Sequence, residues 1–481
     1  MTPTFWTTLS IINYIAVAAV ILRILIRGRE PRGMMAWILA LLLLPVIGLI
    51  LYGLIGHPPI QQKVRKRQRR RRMIANDLTQ HSNAALSRHD VMDDAELEGP
   101  QRSLIRVATR LGGTVVTGGN DVEIYHDAEA VFLAISLAIE AAQEHVHMQY
   151  YIFANDQTGR AIRDLLVRKA REGVEVRLLL DAVGSWRLRR SFTRQMRREG
   201  VKAAYFLPWG LTERRFHVNC RNHRKLVVVD GRTGFTGSQN IGDEYLGRRR
   251  KYGPWRDTHL RLRGPSVAQL QEVFVEDWYF ATRENLTEDR YFPIVGAAGP
   301  LRVQLVPSGP DRRPDVMHQL LFAAVSDAHH AVALSTPYFV PDRAMVLALK
   351  SAAYRGVRVR LLIPSDSDHR FVLWAARSYY AELIEAGVEI YEYDGGMLHS
   401  KVVVIDRRWA MVGSANMDER SFRLNFELTS VLYDVGPAQQ LLADFDDLRV
   451  RSRRVLMGDI RSWNMRQDIL AGAARLAAPL L

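Results

Sequence analysis

The feature of this sequence that most directly suggests chemistry is a histidine followed two residues later by a lysine, in a pattern that occurs twice. The spacing His-x-Lys-x4-Asp-x6-Gly-Ser-x-Asn is identical in both copies. With six fixed positions, each matched by chance about once in twenty, a random hit is expected roughly once in 10⁸ starting positions. The copies consist of His223, Lys225, Asp230, Gly237, Ser238 and Asn240, and of His399, Lys401, Asp406, Gly413, Ser414 and Asn416.

The residue types in this pattern fit phosphoryl transfer. Positions two apart on a strand share one face, so each histidine projects beside its lysine. Two imidazoles supply a nucleophile and a proton donor, and two ammonium groups supply positive charge that a metal often provides, so no metal or other cofactor is predicted. Small residues and hydroxyls allow close approach of an oxyanion. We therefore predict that the catalytic residues are His223, Lys225, Asp230, His399, Lys401 and Asp406, and that substrate is bound by Ser238, Asn240, Ser414 and Asn416.

The chain also repeats at the scale of a domain, which predicts the elements that position the two copies. Each half reads as strand, amphipathic helix, Gly-Val strand, helix, Gly-Val strand and motif hairpin. The strands VEVRLLLD and VRVRLLIP are almost continuous apolar runs, typical of a sheet covered by helices, and the alternation of strands and helices predicts an α/β fold. Two halves related by a pseudo-twofold axis would bring the motif copies into one site.

This interpretation divides the chain into five segments. Residues 1–72 hold two membrane segments and a basic run, and residues 73–103 form a polar linker. The first half covers residues 104–295, the second half covers 296–455, and 456–481 form a C-terminal amphipathic helix.

Composition narrows the class of protein. The chain has 481 residues and a net charge of +15, which indicates an anionic partner, either nucleic acid or an anionic lipid surface. The single cysteine, Cys220, excludes a disulfide framework. His217, Cys220 and His223 are spaced like metal ligands, but one cysteine and a histidine already assigned to catalysis argue against zinc.

Two apolar stretches near the N-terminus favour the lipid surface. Residues 5–22 carry no charge, and neither do residues 34–55. At about 1.5 Å per residue the second stretch is roughly 33 Å long, enough to cross a ~30 Å hydrocarbon layer. We predict two transmembrane helices, the second kinked at Pro45. A cleaved signal peptide is the alternative for the first stretch, which lacks a basic n-region and a clear cleavage site.

The charges that flank these stretches predict the orientation. Residues 63–72, KVRKRQRRRR, hold eight basic residues and no acid, and such a run beside a membrane span more often binds anionic headgroups than nucleic acid. The positive-inside bias then places the rest of the chain in the cytoplasm. The connector RGREPRG at 27–33 is also basic, which leaves open a hairpin that dips into the bilayer without crossing it.

Both copies match the HKD motif of the phospholipase D superfamily, and nearly the whole chain resembles the bacterial cardiolipin synthases. The resemblance also rests on the apolar N-terminal pair, WRDTHLRLRGP at 255–265, PSGPD at 307–311 and GSANMDERSFRLNFEL at 413–428. It implies two phospholipase D-like halves and a multi-pass protein of the bacterial inner membrane. The implied reaction transfers a phosphatidyl group from one phosphatidylglycerol to another and yields cardiolipin and glycerol through a phosphatidyl-histidine.

The resemblance further implies roles for single residues. His223 is the nucleophile and His399 the acid and base, although the symmetry of the sequence leaves these roles interchangeable. A histidine-orienting carboxylate follows each motif in this family, which points to Asp257 and Glu427 in this chain. The alternative is that each carboxylate only pairs with an arginine close to it in the sequence.

Three other functions remain open on the sequence alone. A phospholipase D-type hydrolase shares the first half-reaction and uses water in the second. A membrane-tethered nuclease would use the basic surface to bind a phosphodiester polymer, but the membrane segments argue against it. A non-catalytic lipid scaffold would not require two intact motifs. The expected partners are therefore phosphatidylglycerol and the bilayer rather than nucleic acid, and the oligomeric state is not predicted.

Overall fold

A computed structural model of the chain describes residues 3–26, 31–53, 73–74, 78, 101–207, 220–248, 253–312 and 315–477. They form two compact units, a smaller one up to residue 53 and a larger one from residue 73 onward. The basic run at 63–72, His217 and almost all of the predicted linker lie outside the described residues.

The smaller unit contains three helices, α1 (Pro3–Ile26), α2 (Pro31–Leu43) and α3 (Pro45–Leu51). Helix α1 has 24 residues, which corresponds to about 36 Å. The second apolar stretch is interrupted at Leu44, because Pro45 has no N–H to continue the helical hydrogen bonds. Within the described residues, only α1 is long and apolar enough to cross a bilayer. The described residues therefore contain one helix that could span a bilayer, at the position of the first predicted transmembrane helix, and no second continuous one.

The larger unit is built on one mixed sheet flanked by helices. The strands of the first half are β1 (Thr117–Tyr125), β2 (His145–Tyr150), β3 (Glu175–Asp181), β4 (Lys202–Phe206), β5 (Leu226–Val229), β6 (Thr233–Gly237), β7 (Trp255–Arg256) and β8 (His259–Arg263). Those of the second half are β9 (Leu301–Ser308), β10 (Ala331–Ser335), β11 (Phe339–Val340), β12 (Arg358–Pro364), β13 (Glu389–Tyr393), β14 (Met397–Leu398), β15 (Val402–Ile405), β16 (Trp409–Gly413), β17 (Met417–Asp418), β18 (Glu427–Leu432) and β19 (Ser452–Val455).

The helices of this unit alternate with the strands. The first group is α4 (Gln101–Gly112), α5 (Ala128–Glu140), α6 (Gln157–Arg171), α7 (Arg190–Arg198) and α8 (Ser266–Thr282). The second group is α9 (Val316–Ser326), α10 (Arg343–Tyr354), α11 (Arg370–Arg377), α12 (Tyr380–Glu385), α13 (Glu419–Arg423), α14 (Val435–Val450), α15 (Met457–Arg461) and α16 (Met465–Ala477).

The order of the strands shows the pseudo-twofold relation directly. In the described part of the chain fifteen strands form one sheet, with the antiparallel pair β1 and β9 at its centre. Outward from this pair the order is β8, β6, β5, β2, β3, β4 on one side and β18, β16, β15, β10, β12, β13 on the other, with β19 added at the second edge. The prediction of an α/β fold made of two similar halves is confirmed.

Equivalent local sequences build equivalent elements in the two halves. Helix α6 begins after Asp156, whose carboxylate accepts a hydrogen bond from the N–H of Gly159 (3.0 Å). Helix α10 begins in the same way after Asp342, which accepts from the N–H of Met345 (3.0 Å). A side-chain oxygen at this position satisfies an N–H that has no partner within the helix. The repeated caps fix where each helix begins relative to the preceding strand.

Helix α4 packs on the second half. Its residues 101–103 fall in the predicted linker and 104–112 in the predicted first half. Its buried residues Leu104, Ile105 and Ala108 pack in one core with Leu320 and Ala324 of the second half. The helix is amphipathic and buries its apolar face against α9 of the second half. The segment limits remain predictions.

Short contacts join the two halves where the motif copies lie. Strands β7 and β14 pair in parallel, with Trp255 opposite Met397 and Arg256 opposite Leu398. A second bridge joins Asn222 to Phe426 in the other half. Each bridge includes the residue immediately before a motif histidine, Leu398 in the first and Asn222 in the second. Backbone pairing between the halves therefore brings the two copies together.

The aspartate of each motif copy has a structural position. Asp230 lies beyond β5, at the end away from its histidine, and its carboxylate accepts hydrogen bonds from the N–H groups of residues 143, 144 and 145 at 2.8–2.9 Å. Asp406 does the same for residues 329, 330 and 331 at 2.7–3.0 Å. Both residues have positive φ, 51° and 53°, which aspartate tolerates better than most residues. These side chains fix the start of β2 and β10, which is a structural role, and a catalytic role for the two aspartates stays a prediction.

We expect Asp230→Ala and Asp406→Ala to lower the free energy of unfolding by about 1–3 kcal/mol each, because the hydrogen bonds from backbone N–H groups to the carboxylate are lost. Thermal unfolding of the purified variants measures this. Asp121→Ala, which removes an exposed ion pair with Arg263, is the matched control and should change stability by less than about 1 kcal/mol. Loss of catalytic turnover without loss of stability would contradict the structural role.

Candidate active site

The two motif histidines are docked by the backbone of opposite halves. The N–H of His223 donates to the carbonyl oxygen of Phe426 (2.9 Å), and the N–H of His399 donates to that of Arg256 (2.7 Å). Both side chains are almost completely buried, with 8% and 6% of the residue exposed. The positive charge of each motif lysine acts on the histidine of the other copy. The two copies therefore form one site rather than two.

The carboxylate that holds each imidazole comes from the opposite half. Nδ1 of His223 lies 2.9 Å from Oε2 of Glu427, and Nδ1 of His399 lies 3.0 Å from Oδ2 of Asp257. With an ionised carboxylate as acceptor, Nδ1 carries the proton and Nε2 keeps its lone pair. Both acids singled out by sequence thus contact a motif histidine, in a crossed arrangement that the sequence did not indicate.

The alternative pairing of these acids with neighbouring arginines is not seen among the described residues. Arg256 forms an ion pair with Asp444 instead of Asp257. Arg423 lies 3.4 Å from Asp315 and 3.8 Å from Glu419. The two carboxylates are consequently available to the imidazoles.

The motif serines hold these carboxylates rather than an open binding position. The hydroxyl of Ser414 donates to Oε2 of Glu427 (2.5 Å) and accepts from the N–H of Leu428 (3.0 Å). The hydroxyl of Ser238 donates to Asp257 and accepts from the N–H of Thr258 (3.1 Å). The hydroxyl protons of the two serines thus orient the acids that orient the histidines, and substrate binding by these serines stays a prediction.

Burial sets the charge state of the histidines. Burial, opposed in part by Glu427, lowers the pKa of His223 to about 4. Burial also lowers the pKa of His399, again against the effect of its acid, Asp257. Burial alone would raise the pKa of Asp257, but the imidazole of His399 and the nearby hydroxyl bring it down to about 2. At neutral pH the site therefore contains ionised carboxylates and neutral imidazoles.

The two lysines are buried beside the histidines. Nζ of Lys225 donates to the carbonyl oxygen of His223 and Nζ of Lys401 to that of His399, both at 2.7 Å. Burial lowers the pKa of Lys401 to about 8 and that of Lys225 well below its usual value, although the site carboxylates counteract this. Two buried lysine side chains favour binding of an anion, which in turn favours their charged forms.

The motif asparagines differ from each other. The amide oxygen of Asn240 accepts from the N–H of Ile152 (3.2 Å), and its amide nitrogen donates to the hydroxyl of Tyr245 (3.2 Å). Its hydrogen bonds are thus directed to the protein. The side-chain oxygen of Asn416 is buried and has no hydrogen-bond partner within the described residues. Of the two predicted substrate-binding amides, Asn416 is the one with capacity left for a ligand.

Aromatic side chains cover the site, and the motif pattern did not reveal them. The Tyr151 ring lies 4.9 Å from the His223 ring, and Nζ of Lys225 lies 5.4 Å from its centroid. The Trp255 ring lies 5.4 Å from that of His399. Its indole N–H donates to Asp257 (3.0 Å), which lies two positions further along the chain in the sequence WRD. The position of this tryptophan beside the predicted acid is the one signal in the sequence for its role.

Within the described residues no group of histidine, cysteine and acidic side chains has the arrangement of a metal site. His223 is held by a carboxylate and a backbone carbonyl, and Cys220 is buried.

We expect binding of a tetrahedral anion to take up protons. Bound negative charge favours the protonated forms of Lys401, with a pKa of about 8, and of His223, with a pKa of about 4, so affinity should rise as pH falls from 9 to 5. Each proton taken up changes the Kd by at most about tenfold per pH unit. Calorimetric titration with sulfate in buffers of different ionisation enthalpy measures this uptake. A pH-independent Kd would contradict it, and Lys350→Met, distant from the motifs, is the control variant.

Comparison with known families and structures agrees with this geometry. The family described as "Cardiolipin synthase, PLD-like domain" matches residues 135–278 and 321–449, each range containing one motif copy. The family described as "Phospholipase_D-nuclease N-terminal" matches residues 14–57. A phosphatidylserine synthase from Haemophilus influenzae Rd KW20 of known crystal structure has a TM-score of 0.59 at 16% identity, over 80% of this chain and 100% of that one. At this identity the likeness shows the fold.

Curated relatives extend over almost the full chain. "Cardiolipin synthase" of Geobacillus kaustophilus (strain HTA426) is 39% identical over 98% of this chain and 93% of its own length. "Major cardiolipin synthase ClsA" of Bacillus subtilis (strain 168) is 36% identical over 94% of each chain. The chain therefore belongs to the bacterial cardiolipin synthase family, whose members are phosphatidyltransferases of the phospholipase D superfamily.

Proposed function

We propose that this protein joins two molecules of phosphatidylglycerol into cardiolipin and glycerol through a phosphatidyl-histidine. The observation that carries the proposal is the crossed pair of imidazole–carboxylate contacts in one buried site. The names of the full-length relatives support the product. The two half-reactions need a nucleophile and a proton donor that exchange roles, which a pseudo-symmetric pair of histidines supplies.

In the first half-reaction Nε2 of His223 attacks the phosphorus of one phosphatidylglycerol. A bond forms between this nitrogen and phosphorus, and the bond from phosphorus to the glycerol oxygen breaks. The departing oxygen takes a proton from Nε2 of His399, so glycerol leaves neutral. The assignment of His223 as nucleophile follows the family resemblance, and its low pKa keeps it in the unprotonated form that attacks.

In the second half-reaction the primary hydroxyl of another phosphatidylglycerol displaces His223. Its proton passes to Nε2 of His399, its oxygen forms a bond to phosphorus, and the bond from phosphorus to nitrogen breaks. His399 therefore has to be protonated when the cycle begins and has to be neutral after glycerol has left. Burial lowers its pKa in the free site, while a bound anionic phosphodiester and Asp257 favour the imidazolium.

The lysines stabilise the charge that develops on the equatorial oxygens of phosphorus. Lys225 and Lys401 are each anchored to a backbone carbonyl at one proton, which leaves two protons of each ammonium for the phosphate. In a buried site such preorganised donors act more strongly than in water. We also propose that the unpartnered amide oxygen of Asn416 accepts a hydrogen bond from a substrate hydroxyl.

We place the larger unit on the cytoplasmic side of the cell membrane, with phosphatidylglycerol as donor and acceptor and no nucleic acid substrate. The basic run at 63–72 favours this side and binds anionic headgroups at about 1 kcal/mol per basic residue. The multi-pass arrangement expected from sequence needs a second span, which the described residues do not contain.

The product assay decides between this function and its alternatives. Purified protein supplied with phosphatidylglycerol vesicles should release cardiolipin and glycerol in equal amounts. Phosphatidic acid as the only lipid product would indicate the hydrolase, and cleavage of DNA without lipid turnover the nuclease. His223→Ala and His399→Ala should each lower turnover by about three orders of magnitude or more. The exposed His330→Ala is the matched control, and substantial activity in either motif variant would refute the two-histidine mechanism.

The separate roles of the histidines are testable with a phosphatidyl ester of p-nitrophenol, whose leaving group needs no proton. His399→Ala should release one equivalent of nitrophenol in a burst and retain the phosphatidyl label on His223, because the second half-reaction lacks its base. Glu427→Gln should slow this burst by about 10²-fold, since the nucleophile loses its orienting acid. Glu419→Gln changes a nearby carboxylate that faces Arg423 and should leave the burst unchanged. Label on His399 in His223→Ala, without label on His223 in His399→Ala, would reverse the assignment.

A further inference from the structure

The second apolar stretch turns back on itself. The rings of Trp37 in α2 and Tyr52 after α3 are in edge-to-face contact, with centroids 5.2 Å apart. Fifteen positions along an unbroken helix would separate these residues by about 22 Å. A Cβ on Gly48 would lie 2.6 Å from the carbonyl oxygen of Ala40, so only glycine allows the two arms to pack this closely. Helices α2 and α3 therefore form a helical hairpin with Leu44 at its tip.

The hairpin covers only part of α1. Val17 and Ile24, in the C-terminal half of α1, are buried against Leu41 and Tyr52. Residues 4–12 of α1 are exposed along their whole length. With 13 residues α2 is about 20 Å long, shorter than a ~30 Å hydrocarbon layer. A second full span would have packed along the N-terminal half of α1 as well.

The tip of the hairpin is suited to a lipid environment. Its exposed side chains are all apolar, namely Leu42, Leu43, Leu44, Val46 and Ile47. Two backbone hydrogen bonds flank the bend, from the N–H of Leu44 to the carbonyl oxygen of Ala40 (3.0 Å) and from the N–H of Gly48 to that of Leu44 (2.5 Å). Backbone groups that are paired internally can be placed in hydrocarbon, whereas unpaired ones are costly there.

The distribution of charge agrees with this hairpin and disagrees with two spans. Residues 27–33 carry three arginines and one glutamate, and residues 63–72 carry eight basic residues and no acid. Two spans would place these basic segments on opposite sides of the bilayer, against the positive-inside bias. A hairpin places both on one side, opposite the uncharged residues at the start of α1.

We propose that residues 31–53 enter the hydrocarbon of the bilayer as a re-entrant hairpin and that the chain crosses the membrane once, through α1. The chain returns after the hairpin to the side on which it entered. The basic residues at 27–33 and 63–72 then contact the anionic headgroups of the same leaflet. This proposal concerns membrane attachment and does not depend on the proposed reaction.

Single cysteines in a Cys220→Ser background test the crossing. Thr4→Cys, Gly28→Cys and Gly56→Cys are labelled with a membrane-impermeant maleimide in sealed spheroplasts and again after permeabilisation. The hairpin predicts that positions 28 and 56 behave alike and position 4 in the opposite way. Positions 28 and 56 on opposite sides would establish two spans, and all three alike would exclude any crossing; either result overturns the proposal. If position 4 alone is protected, the hairpin stands and the cytoplasmic orientation is wrong.

A distance measurement tests the hairpin itself. In the double variant Trp37→Cys/Tyr52→Cys, a bismaleimide of about 8 Å reach should link the two thiols, since an unbroken helix would hold them about 22 Å apart. Phe5→Cys/Val20→Cys has the same spacing within the continuous helix α1 and should remain unlinked. Mass spectrometry of the protein purified from membranes distinguishes the two. Equal behaviour of the two pairs would refute the hairpin whatever the enzyme's activity.

Discussion

The interaction on which the whole structure depends is the crossed contact of each imidazole with a carboxylate from the opposite half. A buried carboxylate is costly unless hydrogen bonds and nearby positive charge compensate it. Glu427 has His223, the hydroxyl of Ser414 and the charge of Lys225 for this purpose, so most of its compensation belongs to the first half. Neither half is therefore a complete site. The repetition within one chain follows from this requirement, because each half supplies the acid that orients the other's histidine.

The short segment that carries the first motif histidine and lysine also holds the two halves together. It lies immediately before β5 and not on a strand. Between His223 and Lys225, the side chain of Arg224 is fully buried and donates to both oxygens of Asp277 at 2.9 Å. It also donates to the carbonyl oxygens of Glu427 (3.0 Å) and Ser308 (3.0 Å) in the second half. The corresponding residue of the second copy is Ser400, whose hydroxyl lies 3.1 Å from that of Ser335. The two motif copies thus share the histidine and the lysine and differ in the residue between them.

Features that depend on local sequence were predictable, whereas those that depend on distant pairing were not. The α/β halves follow from apolar runs and caps that repeat, and the histidines and lysines follow from their spacing. The crossed partners lie 204 and 142 positions apart, and spacing within a half carries no information on such pairs. The sequence around a serine that contacts a substrate oxyanion does not differ from the sequence around one that holds a carboxylate, so the contacts of Ser238 and Ser414 with the two acids could not be predicted. Composition and length are also the same for a membrane span and for a hairpin, so the second apolar stretch leaves both open at the level of sequence.

In the free site the buried basic groups lack the negative charge that would favour their protonated forms, and an anionic substrate supplies it. Burial disfavours the cationic forms of both histidines and both lysines, and the two carboxylates only partly oppose this effect. If all four basic groups were fully charged without an anion, the closely packed site would suffer strong repulsion at low dielectric. We expect a bound phosphodiester to relieve this repulsion and to raise the pKa of the basic groups that surround it. In the proposed reaction, substrate binding itself thus produces the acid that protonates the leaving group, and the same imidazole becomes a base once glycerol has taken its proton.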